Sequence, residues 1–199
     1  LVTPDALDAL DFLVWLNSGY RAAELCGCHQ SSISRRAQEA ADVFGVTLIR
    51  DRAGWELEGS TVLLDLEREV HQLHRLLRGS ELRLELAPEL VGFLPRLADS
   101  AWIAVLAETA QPERSWSLVE RRVIDGWLTD HHPTAIDGRD GVVACPLRGG
   151  MADGVVLVVR RELAGHPVFD RLQAVLSGNG QAEALPARKG GARSSVRFT

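Results

Sequence analysis

Lysine is almost missing from this chain: Lys189 is the only one among 199 residues, so cationic contacts have to come from arginine. The formal net charge of -5 has the wrong sign for a protein that holds nucleic acid by bulk charge, because duplex affinity comes mostly from cations that neutralise phosphates. Placement of charge therefore matters more than its sum. Residues 1–60 carry five arginines (Arg21, Arg35, Arg36, Arg50 and Arg52) against nine acids, a thin cationic footprint. Long hydrophobic runs are missing too. No stretch of about eighteen uncharged apolar residues occurs, and no basic segment followed by an apolar one opens the sequence. Neither a membrane span nor a secretory leader is expected, and the expected location is the cytoplasm. Cysteine is scarce and odd in number: Cys26 and Cys28 sit too close for an ordinary bridge, and Cys145 lies far away, so reduced thiols are expected.

Signatures of catalysis are absent as well. There is no nucleophile elbow, no phosphate-cradling glycine loop and no dinucleotide fingerprint, so neither enzyme activity nor a cofactor is expected. Cys26-Gly27-Cys28-His29 offers thiolates and an imidazole, but no second ligand pair stands at finger-like spacing. His71 and His74, one turn apart in a helical stretch, read as a solvated flank, and Asp130-His131-His132 follows a strand end without a nucleophile beside it. No metal site is expected.

Four stretches differ in pattern, with boundaries at 1–59, 60–79, 80–176 and 177–199. In the first, Thr3 followed by Pro4 marks a helix start, and Leu7, Leu10 and Val14 supply helical spacing. A second helix fits Arg21 to Cys26 and a third fits Ser32 to Phe44, closed by Gly45. Leu48 to Arg52 and Trp55 to Glu58 alternate around Ala53-Gly54 and predict a short hairpin. In the second stretch Leu63, Leu66, Val70, Leu73 and Leu77 repeat at spacings of three and four, a short heptad seam compatible with dimerisation or with packing on the helix's own domain. In the third, apolar runs at Leu82 to Leu86, Trp102 to Leu106, Gly126 to Thr129, Val142 to Cys145 and Val155 to Val159 alternate with helical segments at Leu90 to Leu97, Trp116 to Val123 and Val168 to Leu176. That rhythm predicts a mostly parallel sheet. The last stretch, rich in Gly, Ala, Ser and Arg, predicts a disordered tail.

The segment Ser18 to Arg36 carries the functional signal. Two helices meeting steeply need a small residue where they approach, supplied by Ala23, and a turn that tolerates positive φ, supplied by Gly27. Cys26, Cys28 and Ile33 suit the shared core. His29, Gln30, Ser31, Ser32, Ser34, Arg35 and Arg36 then cluster at the start of the third helix, the part of a helix-turn-helix that meets base edges in the major groove. Gln and Arg can read adenine and guanine through paired hydrogen bonds, while hydroxyls and a helix start can hold phosphate. Arg50 and Arg52 on the hairpin add backbone cations. A helical head that serves only as a dimer or partner surface is the bland alternative.

This segment resembles the N-terminal signature of LysR-type transcriptional regulators, in which paired alanines, a short turn and a Ser-Gln-Pro-Ala-Leu-Ser-Arg-like stretch recur. His29-Gln30-Ser31-Ser32-Ile33-Ser34-Arg35 lies on that stretch without a gap, and Phe44-Gly45-Val46-Thr47-Leu48 resembles the family's Leu-Gly-Val-x-Leu-Phe. The chain departs at Ala37 and Ala40, where the family usually has larger apolar residues, and at Gln38 and Glu39, where it often has basic ones. The resemblance implies a winged helix-turn-helix, a linker helix that pairs two subunits, and an effector domain of two α/β lobes like those of periplasmic binding proteins.

Only one lobe is expected here, giving an α+β chain overall. His166-Pro167 resembles the His-Pro that precedes the family's second lobe, yet only one short helix and the tail follow. A crevice with one wall binds a small ligand poorly. The strand-end loops remain the default effector site, with Pro88, Thr109, Asp130 and His131 as candidates, but a platform for dimers or partners is favoured over sensing. The expectation is a sequence-specific regulator that binds double-stranded DNA as a homodimer or higher homo-oligomer, away from membranes. A degenerate regulator that pairs or antagonises without gripping DNA is the alternative.

Overall fold

A computed structural model describes residues 2–51, 54–130, 141–149 and 152–178. Arg52, His131, His132 and the stretch from 179 onward, which includes most of the expected tail, lie outside the described residues. The chain divides into two compact units with their boundary between Glu67 and Arg68. Among the described residues no helix is long and apolar enough to cross a membrane.

The first unit opens with α1 (Pro4–Leu16), whose Thr3 cap accepts a hydrogen bond from the Ala6 amide. Apolar residues surround almost its whole circumference, and Leu7, Leu10, Phe12, Leu13 and Trp15 are all buried, so α1 is the central rod of the head. Helix α2 (Gly19–Cys26) is capped by Ser18, whose hydroxyl accepts from Arg21 N–H, and it ends at Gly27 with φ +60°, the positive value that a side chain would resist. Helix α3 (Gln30–Phe44) follows after a short turn and starts two residues earlier than the sequence suggests. The cause is His29: its Nδ1 accepts from the Ser31 amide, so an imidazole does the capping normally left to Ser, Thr, Asp or Asn. The hairpin is β1 (Thr47–Arg50) against β2 (Trp55–Glu58), antiparallel, with Arg50 opposite Trp55.

Helix α4 (Val62–Arg78) leads to the second unit, a five-stranded sheet of β3 (Leu82–Leu86), β4 (Trp102–Leu106), β5 (Gly126–Thr129), β6 (Val142–Pro146) and β7 (Val156–Arg160). Their order is β4-β3-β5-β7-β6. β3 runs parallel to β4 and β5, but β7 is antiparallel to both β5 and β6. The sheet is therefore mixed, not mostly parallel as expected. Residues 147–155 between β6 and β7 are too few for the crossover of a dozen or more residues that parallel neighbours need. The helix expected at Leu90 to Leu97 is a 3-10 turn (Pro88–Phe93) running into the single-turn α5 (Leu94–Leu97). Pro95 has no N–H to donate back along a continuous helix, so it is accommodated only in a first turn. Helix α6 (Pro112–Glu120) begins at the proline and stops short of Arg122, whose φ is +58°.

The lobe closes on itself. Helix α7 (Pro167–Ser177) buries Val168, Phe169, Leu172 and Leu176 in the same core as the β3 leucines, with the Phe169 ring 5.9 Å from Trp102. Arg96 Nη1 donates to the Leu176 carbonyl at 3.0 Å and Ser177 Oγ to the Arg148 carbonyl at 2.8 Å, which fixes the end of the helix. This is the helix that the sequence predicts at Val168 to Leu176.

One buried charge organises the approach of α4 to the sheet. Asp125, fully buried, accepts from Arg75 Nε at 3.0 Å and Nη2 at 2.8 Å, from Gln72 Nε2 at 3.1 Å and from the Arg83 amide at 2.8 Å. A carboxylate removed from water is tolerable only when its lone pairs are taken up in this way. Asp125→Ala should lower the stability of this unit by about 3–5 kcal/mol, because Arg75 is left charged and unpaired inside. Urea unfolding followed by tryptophan fluorescence reads that loss, and a cost below about 1 kcal/mol would contradict the role given to the pair.

Candidate nucleic-acid interface

The two sides of α3 differ in kind. Ile33, Ala37, Ala40 and Ala41 are buried, and α1 is the element they pack on most extensively. That spacing puts the apolar residues on one stripe; Ser31, Arg35 and Gln38 are exposed away from it, while Gln30 and Ser34 are exposed beside it at the start of the helix. The alanines that depart from the family pattern are thus the contact surface, and their small size lets two helices approach closely. Of the remaining sequence candidates, His29 is exposed and occupied as a cap, with Nδ1 2.9 Å from Ser31 Oγ, and Ser32 is half-buried. Arg36 turns back toward α1, 3.8 Å from the Asp5 carboxylate. Cys26 and Cys28, expected in the shared core, are only half-buried, and neither is in a disulfide. Cys145 is free as well, and burial pushes its thiol pKa up, which keeps it protonated.

Three sequence candidates come together around one concavity of about 220 Å³: Gln30 and Ser34 from α3 and Arg50 from β1. Its other walls are Asn17, Ser18, Gly19, Tyr20 and Trp55. Gln30 fits because the first residue of α2 is glycine: a Cβ on Gly19 would stand 3.3 Å from Gln30 Nε2. Asn17, Tyr20 and Trp55 carry no functional signal in the sequence. Asn17 ends α1 in the left-handed conformation at φ +51°, where its Oδ1 accepts from the Trp55 amide at 2.8 Å. The hairpin is thereby tied to the end of α1. Gly54 completes the tie: its φ is +138°, and a Cβ there would overlap the Asn17 carboxamide. The Arg50 guanidinium lies 5.5 Å above the Trp55 ring, and Tyr20 is 71% exposed beside them.

Charge along α3 is graded. Its first turns offer Gln30, Ser31, Ser34 and Arg35, whereas the later turns expose Glu39 and Asp42, the latter accepting from Gln38 Nε2 at 2.8 Å. Only the N-terminal half of the outward face suits a polyanion.

Helix α4 carries the second candidate surface. Leu63, Leu66, Val70, Leu73 and Leu77, with Val62, form a stripe whose members are 45% to 84% exposed. An apolar row of that length is uncommon on the surface of a folded chain. In the lobe, a cavity of about 80 Å³ opens at the carboxyl ends of β3 and β4, with Pro88, Glu89, Thr109, Gln111 and Trp127 among its walls. Pro88 and Thr109 are among its lining residues, and Asp130 is exposed just after β5. The volume is well below the roughly 300–1,000 Å³ of ordinary small-molecule sites.

Three helices and a hairpin with an outward-facing third helix, followed by one α/β lobe, define a protein with a winged-helix-like head and a single mixed-sheet domain. No family model and no curated protein matches the sequence. Among solved structures the chain shows a distant similarity to LysR-type regulators. A full-length OxyR point variant from Pseudomonas aeruginosa shares 17% identity at a TM-score of 0.44, over 74% of this chain and 55% of that one. ArgP from Mycobacterium tuberculosis shares 18% at 0.35, over 74% and 53%. LysG from Corynebacterium glutamicum, solved with its effector Arg, shares 16% at 0.34, over 73% and 54%. The chain spans about half the length of these structures.

Gly54→Ala should free the hairpin from α1 while leaving the helices folded. Hydrogen exchange is expected to speed up at the amides of residues 47–50 and 55–58 and to stay slow in α1 and α3; unchanged protection of the hairpin would show that the glycine is not what holds it.

Proposed function

We propose that this chain is a sequence-specific, DNA-binding transcriptional regulator of LysR type that works as a homodimer or higher homo-oligomer, with reduced or absent small-molecule sensing. Residues 1–59 are its DNA-binding head, 60–79 its pairing helix, and 80–176 a lobe equivalent to half of a periplasmic-binding-protein-like effector domain. The observation that carries this reading is the polar first two turns of α3, where Gln30, Ser31, Ser34 and Arg35 are exposed and Gln30 and Ser34 share a concavity with Arg50 of the hairpin. A helix presented in that way fits the major groove, with Gln30 and Arg35 able to form paired hydrogen bonds to base edges. The hairpin cation then falls on the flanking backbone. The exposed α4 stripe supports pairing of two heads, whose half-sites would lie about 34 Å or a multiple apart on one face of the duplex. The small cavity in the lobe, with Pro88 and Thr109 among its walls, supports weak sensing at most.

Exposed Glu39 and Asp42 on the same helix favour a second reading, a degenerate regulator that pairs with copies or partners without gripping DNA. A salt titration separates the two. A regulator loses affinity linearly in log salt and keeps a preference for selected over random duplex, whereas the antagonist does neither.

Binding selection on random duplexes gives the preferred site, and Arg35→Ala should then cost about 1–3 kcal/mol and relax the preference at one position. An unchanged preference would count against α3 as the reading element. Pairing is checked separately: Leu66→Glu with Leu73→Glu should convert the solution species to a monomer by light scattering, since two carboxylates would sit in the buried seam. A double variant that keeps the oligomeric state of the native chain would remove α4 from the interface.

A further inference from the structure

The wing holds an arrangement that the proposed function leaves unused. Arg50 is an exposed arginine on a two-stranded hairpin, a place where a long side chain normally samples many rotamers and loses that freedom when it is held. Here it has company. The Trp55 ring stands directly across the strand pair and receives the guanidinium at 5.5 Å. Trp55 is itself held: its amide donates to Asn17 Oδ1, and the residue before it, Gly54, is folded so tightly on Asn17 that no side chain fits. In the same loop the Gly54 amide donates to Asp51 Oδ1 at 2.9 Å and the Asp51 amide to the Gly54 carbonyl at 2.9 Å. A chain of short contacts therefore runs from α1 through Asn17 to Trp55 and on to the Arg50 charge, which lines the same concavity as Gln30 and Ser34.

We infer that Trp55 is a positioning residue for backbone contact: it lays the Arg50 guanidinium at a fixed distance from the Gln30 and Ser34 edge of α3, so that one duplex meets the wing charge and the base-facing edge together. The inference rests on the DNA-binding reading and adds to it. In a head with so few cations, each phosphate contact counts, and a cation fixed in place before binding gives up less freedom when the contact forms. The ring contributes no charge of its own; what it supplies is direction.

That distinction sets the test, made on the full chain and the duplex recovered by binding selection. Arg50→Gln removes a phosphate contact, so the slope of log affinity against log salt should flatten by about 0.9. Trp55→Leu keeps the charge and frees it. Affinity should fall about two- to fivefold, as loss of an exposed cation–π contact does, while the salt slope stays at the native value. Trp55→Phe, which restores a ring face, should recover most of the loss. In the Arg50→Gln background Trp55→Leu should have no further effect, since a positioning residue without its charge has nothing to position. A second readout needs no DNA: the Arg50 Nε–H order parameter should drop to that of a free side chain in Trp55→Leu, with the thermal midpoint within a few degrees of native.

Several results would overturn the inference. Equal losses from Trp55→Leu in the native and Arg50→Gln backgrounds would make the ring a direct contact or a fold element, and a native order parameter in Trp55→Leu would show that the ring does not hold the arginine. Native protein that binds selected DNA with the expected salt slope, alongside a Trp55→Leu variant of unchanged affinity, sinks this inference alone. Native protein with no salt-dependent duplex affinity sinks the regulator reading and this assignment together.

Discussion

A helix buried on one side has only one side left to offer, and the contact between α1 and α3 decides which. Ile33, Ala37, Ala40 and Ala41 are the residues that α3 commits to the interior, and the three alanines allow the helices to approach without interlocking large side chains. Everything proposed for the head follows from that choice. Rotating α3 by half a turn would bury Ser31 and Arg35, at a cost of several kcal/mol by the usual penalty for polar and charged groups taken out of water. The polar edge is thus held outward as much by what it would cost to hide it as by the apolar stripe opposite.

With bulk charge unfavourable, geometry has to do what charge density does in more basic proteins. The head gathers its chemistry from four separate pieces of chain: the end of α1, the starts of α2 and α3, and the hairpin. On α3 the exposed acids, Glu39 and Asp42, stand in the later turns, while the rest of the head exposes others at Glu24, Asp51, Glu56 and Glu58. A duplex meeting the proposed surface would encounter Arg35 and Arg50 first, and a register shifted along α3 would bring phosphates against carboxylates. Like-charge contact of that kind penalises wrong placements and so sharpens specificity more than it reduces affinity.

The second unit obeys a different constraint. Its central strands β3 and β5 are covered on both faces, so the sheet needs helices or turns on each side, and α7 supplies part of that cover. The lobe is self-sufficient as a core, and its strand-end cavity is small. Asp125 shows the same economy: one buried carboxylate takes hydrogen bonds from α4 side chains and from the start of β3. In the proposed reading, sensing, pairing and sequence reading would be separable, falling to the α/β lobe, the α4 stripe and the α3 edge.

Much of this was legible in the linear sequence, because it depends on local periodicity. The Thr3-Pro4 start, the glycine stops at Gly27 and Gly45, the alternating hairpin and the heptad row of α4 are set by neighbours a few residues away. What was not legible depends on residues far apart in the chain. The antiparallel placement of β7 reflects which strand ends lie near one another in space. The bond from Trp55 to Asn17 spans 38 positions, and the clasp of Arg75 on Asp125 spans 50. Sequence by itself determined where α1 begins, where α2 and α3 stop and that the first turns of α3 are polar. Tertiary structure alone decided that Asn17, Tyr20 and Trp55 stand beside that edge, because a side chain acquires neighbours from distant segments only when the apolar faces those segments share have been driven out of water.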